Sequence, residues 1–284
     1  MVVVQQEFRS DTVKDVMTGW VVNVAPTDSL LKARNLMTEN HVSQLVVTDE
    51  RKRPIGLISK RDIARFLLDD TTSRTLEDIP VSEASTKSIP TIRAEMRVFN
   101  AARMFDTENL TYTVVTNEDP LLGILTETDL CHYFSQKFPG KFKVIDFMKS
   151  DFIFAKSSYP VVHVANAIVF RQPSVPVIDE ELVGILTLTD LLSIRERIPK
   201  ATHGRLNLNA ADDVALITTK DLMTRDPITT QVNTDLAQAA QTIINKGIRS
   251  MPVIDSDSKV IGLVTKRGVV KALGQVSRNL VLEA

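Results

Sequence analysis

One phrase occurs four times along the chain: a glycine, two branched apolar residues, a hydroxyl residue and two variable positions, closed in three copies by aspartate. The copies are Gly56-Leu57-Ile58-Ser59-Lys60-Arg61-Asp62, Gly123-Ile124-Leu125-Thr126-Glu127-Thr128-Asp129, Gly184-Ile185-Leu186-Thr187-Leu188-Thr189-Asp190 and Gly262-Leu263-Val264-Thr265-Lys266-Arg267-Gly268. They begin 67, 61 and 78 residues apart and use four of the ten glycines. A fourfold internal repeat therefore sets the architecture.

Each glycine follows a short apolar run that ends at a turn residue: Leu45 to Asp49, Thr113 to Asn117, Val175 to Asp179 and Met251 to Asp255. These read as strands. Helical spacing precedes the strand in Leu30, Ala33, Met37 and in Leu236, Ala240, Ile243. It follows the glycine phrase in Ile63, Phe66, Leu67 and in Leu130, Tyr133, Phe134. The unit is thus strand, helix, strand, strand, helix, an α+β fold of four βαββα repeats. Three repeats open on a similar phrase, Asp15-Val16-Met17-Thr18, Asp146-Phe147-Met148-Lys149 and Asp221-Leu222-Met223-Thr224. Asp78-Ile79-Pro80-Val81 reads as a weaker copy, and the recurring methionines as core filler.

A unit of this size buries too little apolar surface alone, so the repeats are expected to pair. The 284 residues suit two such pairs. The expected division is an extension at 1–14, a first pair at 15–137 (repeats 15–70 and 78–137) and a linker at 138–145. A second pair follows at 146–275 (repeats 146–197 and 221–275, insert 198–220), with a tail at 276–284.

The formal charge of −1 is evenly spread and gives no basic patch for nucleic acid. No apolar run approaches the roughly 18 to 20 residues of a membrane span, and the N-terminus lacks the features of a secretory signal. Cys131 is the one cysteine, so no intrachain disulfide forms and a cytoplasmic location is expected. The four histidines have no metal-ligand spacing, and no nucleophile elbow or phosphate-binding glycine loop occurs.

Ser59 to Asp62, Thr126 to Asp129 and Thr187 to Asp190 have the spacing of a capping box at a helix start. The same geometry has a functional use, because a helix N-terminus attracts phosphate and a carboxylate beside it accepts hydrogen bonds from a ribose diol.

Together the Asp-apolar-Met-Thr phrase, the apolar-Pro-Val-Ile-Asp strand and the glycine phrase resemble CBS domains, four of them over roughly residues 15 to 275, as in two tandem pairs (Bateman modules). The resemblance extends to the gamma subunit of AMP-activated protein kinase. It implies adenine-nucleotide binding in clefts between paired repeats, with Asp62, Asp129 and Asp190 on ribose hydroxyls and Ser59, Thr126 and Thr187 beside ribose and phosphate. By the same analogy Arg267 and Arg249 serve phosphates of the nucleotide held by Asp190, ranked first, and Lys266 is a further basic motif residue of the fourth repeat. Lys60 is the other basic motif residue, and Arg61 serves the nucleotide held by Asp129. The Asp62 site draws on neutral Thr111, Tyr112 and Thr128. Gly268 stands where an aspartate is expected, so the fourth site should be weak or empty.

The resulting expectation is a non-catalytic regulator that takes AMP, ADP or ATP as ligand, needs no cofactor or metal, and signals energy state to a protein partner. Three alternatives stay open: a scaffold with vestigial pockets, a sensor of S-adenosylmethionine or an NAD-type ligand, and a nucleic-acid partner. Homodimerisation through helix faces is open as well.

Overall fold

The computed structural model of the chain describes residues 11–70, 72, 74–117, 121–193 and 217–282. Residues 198–216 of the expected insert, 194–197 of the expected third repeat and the first ten residues of the expected extension lie outside them.

All four repeats follow one plan. Repeat 1 has α1 Val13–Val16, β1 Asn23–Val24, α2 Leu30–Glu39, β2 Gln44–Thr48, β3 Pro54–Ser59 and α3 Lys60–Asp69. Repeat 2 has α4 Val81–Ala84, β4 Thr91–Arg93, α5 Val98–Thr107, β5 Tyr112–Thr116, β6 Leu121–Thr126 and α6 Glu127–Lys137. Repeat 3 has α7 Val144–Phe147, α8 Val161–Phe170, β7 Ser174–Ile178, β8 Leu182–Thr187 and α9 Leu188–Leu192; its first strand is reduced to a parallel bridge from Ala155 to Val177. Repeat 4 has α10 Thr219–Leu222, β9 Thr224–Arg225, β10 Thr230–Gln231, α11 Leu236–Asn245, β11 Ser250–Ile254, β12 Val260–Thr265 and α12 Lys266–Leu282. Helix thus continues where a tail was expected from residue 276, because Val269, Val270, Ala272, Leu273 and Val276 give α12 a buried face.

In each sheet the strand before the glycine phrase pairs antiparallel with the strand that carries it, with the same register shift near its end in all four copies. The phrase alternates apolar residues into the sheet and then stops at a hydroxyl, where the next helix is capped. Strand end and helix start are therefore fixed by the same few residues.

The openers are exchanged between tandem neighbours. Thr18 of repeat 1 pairs with Ile124 in the sheet of repeat 2, and Thr86 pairs with Leu57 of repeat 1. Lys149 pairs with Leu263 of repeat 4, and Thr224 and Arg225 pair with Ile185 and Gly184 of repeat 3. Here the expected opener of repeat 2 is corrected. Asp78 accepts from the backbone and hydroxyl of Thr75 in a preceding turn, and the residues that occupy the opener's place are Glu83-Ala84-Ser85-Thr86 at the end of α4.

The described residues fall into two compact units, those within 1–21, 90–151 and 228–284 and those within 22–89 and 152–227. This grouping runs across the expected cut at 138–145, because helices of repeat 2 pack with those of repeat 4, and helices of repeat 1 with those of repeat 3. In the first unit α5, α6, α11 and α12 share one core with Phe105, Leu130, Phe134, Ile243 and Leu273 fully buried. Each such side chain contributes about 1.5–3 kcal/mol. In the second unit one core surrounds Leu30, Met37, Leu45 and Ile63, and another surrounds Ile168, Val175, Leu186 and Leu222.

Candidate functional site

Each of the three aspartates stands at the third position of its helix and spends one oxygen on the cap. Asp62 Oδ2 accepts from the Ser59 N–H at 2.8 Å and its hydroxyl at 2.6 Å. Asp129 Oδ2 does so with Thr126 at 2.8 and 2.7 Å, and Asp190 Oδ2 with Thr187 at 2.8 and 2.6 Å. A capping box needs no more than this.

The sites differ beyond that oxygen. Asp129 Oδ1 accepts the Thr18 hydroxyl, delivered by the exchanged opener, at 3.0 Å. The corresponding Thr86 hydroxyl instead donates to the Ser88 carbonyl at 3.1 Å, and Asp62 Oδ1 has no hydrogen-bond partner among the described residues. Asp190 is buried, only 5% exposed. Burial raises the Asp129 carboxyl above its ordinary value, against the hydrogen bonds from Thr126 and Thr18 that favour its charge.

Two cavities occupy corresponding places, one in each unit. The first, of about 500 Å³, lies between Asp62, Arg65, Phe66 and Asp69 on α3 and the opener residues Glu83 to Thr86. The second, of about 440 Å³, lies between Asp129, His132, Tyr133 and Gln136 on α6 and the opener residues Asp15 and Val16. Both volumes suit a small organic ligand. A smaller hollow of about 210 Å³ is bordered by Lys60, Arg34, Thr189 and Ser193.

The glycine of each phrase lies against the exchanged opener, whose backbone comes closest at Gly123 and Gly56. A Cβ on Gly123 would stand 2.6 Å from the Thr18 carbonyl and 3.1 Å from Met17 Sδ. On Gly184 it would meet Met223 Sδ at 2.5 Å. The recurring glycine and the recurring methionine are thus two sides of one contact, with Ser85 in the methionine's place in repeat 2.

Asp190 belongs to the second unit, together with Lys60, Arg61 and Asp62, whereas Arg249, Lys266 and Arg267 belong to the first, as do Thr111, Tyr112 and Thr128. Arg267 is committed locally. Its Nε donates to Glu127 Oε1 at 3.0 Å, one terminal nitrogen to Asn109 Oδ1 at 2.5 Å, and the other to the Leu110 carbonyl at 2.7 Å. Arg249 reaches Glu127 Oε2 at 4.0 Å, and Lys266 Nζ donates to Thr128 Oγ1 at 2.8 Å. Sequence reasoning missed Glu127. The available signal was an acid at the variable position where repeats 1 and 4 carry lysine.

In repeat 4 more is missing than a carboxylate. A Cβ on Gly268 would lie 2.5 Å from the Phe147 carbonyl, so the backbone of the exchanged opener occupies the place of an aspartate side chain. Among the described residues no group of His, Cys, Asp and Glu could hold a metal ion, and no helix is long and apolar enough to cross a membrane.

A family model described as the CBS domain matches residues 13–69, 81–136, 144–197 and 220–275. The protein MJ1225 of Methanocaldococcus jannaschii is 25% identical over 268 residues, 88% of this chain and 94% of its own length. Its crystal structure, described as that of a proposed archaeal homologue of the AMP-activated kinase gamma subunit, superposes with a TM-score of 0.81 at 23% identity, covering 92% of this chain and 99% of that one. A conserved Pyrococcus horikoshii protein superposes at 0.65 with 18% identity, covering 93% of this chain and all of that one.

Proposed function

The chain belongs to the CBS-domain family, and on that premise we propose that it is a non-catalytic regulatory module that binds adenine nucleotides at the capped aspartates and reports their level to a protein partner. The observation that carries the reading is Asp62. Its Oδ2 secures the helix, its Oδ1 is without a partner among the described residues, and the residue lines a cavity of about 500 Å³. A charged acceptor so placed suits a vicinal diol, and the start of α3 with Lys60 and Arg61 adds positive potential for phosphate. Asp129 with Thr126, and Asp190 with Thr187, are proposed as the second and third sites. The closed approach of Phe147 to Gly268 leaves the fourth without one.

We propose a second assignment of phosphate partners beside the one the resemblance implies. Lys266 and Arg249 stand beside Thr128 and Glu127, so we assign them to the nucleotide at Asp129. Tandem pairing of repeats 1 with 2 and 3 with 4 is likewise our proposal, supported by the exchange of openers. Since the openers of repeats 1 and 2 each contribute both to a neighbour's sheet and to a cavity wall, a ligand that shifts one acts on two repeats together. That is the differential contact a regulatory ligand needs.

The deciding experiment is calorimetric titration of nucleotide-stripped protein with AMP, ADP and ATP, with S-adenosylmethionine and NADH for comparison, while product formation is followed. Binding of adenine nucleotides without turnover, reduced by Asp62→Asn, supports the proposal. Turnover, preference for a comparison ligand or unchanged binding in the variant overturns it.

A further inference from the structure

Each of the two larger cavities lies between one helix and one exchanged opener, and the two openers are fastened at different points. Towards the end of α6, the residue that leads into the opener of repeat 1 is held by charge: Asp11 Oδ2 accepts from the Tyr133 hydroxyl at 2.9 Å and lies 3.5 Å from Lys137 Nζ. At the start of α6 the same segment is held by Thr18, whose hydroxyl donates to Asp129 Oδ1 at 3.0 Å. Asp11, Tyr133, Lys137 and Asp129 all line the cavity, so this opener is pinned at both ends of it.

The opener of repeat 2 is pinned at one end. Arg74, beyond the end of α3, donates to both Glu83 oxygens at 2.8 Å. Near the start of α3 the Thr86 hydroxyl donates to the Ser88 carbonyl instead, and Asp62 Oδ1 has no hydrogen-bond partner among the described residues.

The pin at Thr18 is the exchangeable one. Burial already disfavours the charged Asp129 carboxyl, so its Oδ1 needs a donor, and a ribose hydroxyl offers the same kind of donor as threonine. The Thr18 backbone exchanges two hydrogen bonds of 3.0 Å with Ile124, so its hydroxyl can turn away by a change of rotamer without undoing the sheet.

We infer that the Thr18 hydroxyl is an internal competitor for the ribose diol at Asp129, which makes Asp129 a weaker site than Asp62 and spreads the response over two ranges of ligand concentration. A ligand at Asp62 meets no such competitor. At Asp129 it binds only the state in which the hydroxyl has left, and its apparent affinity falls with the population of that state. Its arrival also releases one pin of the repeat 1 opener while Asp11 keeps the other. The inference rests on the preceding reading for the nucleoside and adds the order in which the two sites fill.

The test is calorimetry with adenosine and AMP on a parent protein carrying Asp62→Asn and Asp190→Asn, in which Asp129 is the remaining proposed site, and on the same protein with Thr18→Val or Thr18→Ser. Valine keeps the branched shape without the donor, and serine keeps the donor. Thr18→Val is expected to bind both ligands about tenfold more tightly than the parent, the effect of one hydrogen bond to a charged group, and Thr18→Ser about as the parent does. Equal or weaker binding by a folded Thr18→Val, or no binding by either it or the parent, overturns the inference. Should Thr18→Val lose its thermal transition, single variants of the otherwise native chain decide: Asp129→Asn is expected to remove a weaker class of sites than Asp62→Asn does, and the opposite order overturns the inference. AMP binding with no gain in Thr18→Val removes this inference and leaves the proposed function standing. Adenosine binding that gains in Thr18→Val, without any binding of AMP, ADP or ATP, does the reverse.

Discussion

The Thr18 carbonyl lies 2.6 Å from the point a β-carbon on Gly123 would occupy, and Thr18 exchanges two backbone hydrogen bonds of 3.0 Å with neighbouring Ile124. Backbone pressed on backbone leaves no side chain to move aside. Gly123→Ala is expected to lose about 1–3 kcal/mol in urea unfolding, the range for overpacking a well-filled site. Gly19→Ala, with nothing within 4 Å of its added carbon, should stay close to wild type. Similar stabilities for the two variants would remove the exchange as the reason for the glycine.

Asp62→Asn keeps an oxygen for the Ser59 cap but replaces the second carboxylate oxygen with an amide. The helix start survives, since even outright loss of a cap costs only about 1 kcal/mol. Nucleotide affinity is expected to fall about ten- to a hundredfold, the loss of a charged hydrogen bond. Calorimetry beside thermal unfolding separates the two effects, and parallel losses in both would make Asp62 purely structural.

Asp129 yields a pH prediction of opposite sign to ordinary acid denaturation. Its carboxyl pKa is raised in the fold by burial, so ionisation costs more folded than unfolded, and the penalty is fully present above the folded value. As pH falls through the raised value towards the unfolded one, the group takes up its proton and the penalty disappears. Asp129→Asn should therefore be more stable than wild type near neutrality, with the difference closing on acidification. A less stable variant at neutral pH would show that the hydrogen bonds from Thr18 and Thr126 outweigh desolvation.

Removing Arg267 leaves Glu127 buried with Arg249 at 4.0 Å and strips a partner from Asn109 and the Leu110 carbonyl. Arg267→Met is expected to lose about 3 kcal/mol, as broken buried ion pairs do. Adding Glu127→Gln should recover part of that loss, because the uncompensated charge is then gone. Urea titration of the single and double variants measures both, and a single-variant loss below about 1 kcal/mol would place the pair among weak surface bridges.

Cys131 is fully buried on α6, and burial pushes its thiol well above the ordinary range, with Glu127 acting the same way. The thiolate needed for attack is not formed at neutral pH. A thiol reagent should leave the native protein unlabelled and react fully in urea. Rapid native labelling would show that α6 opens.

The four glycine phrases, the βαββα plan and the caps by Ser59, Thr126 and Thr187 were legible in the sequence, because they rest on side-chain alternation and on hydrogen bonds spanning three residues. Such interactions are written in adjacent letters. The exchange of openers, the true opener Glu83-Ala84-Ser85-Thr86, the commitment of Arg267 to Glu127 and the approach of the Phe147 carbonyl to Gly268 belong to the tertiary structure alone. Each joins residues roughly 30 to 140 positions apart through shape and charge, and Thr18 meets Asp129, or Arg267 meets Glu127, only once packed helices and sheets have brought them within hydrogen-bond reach.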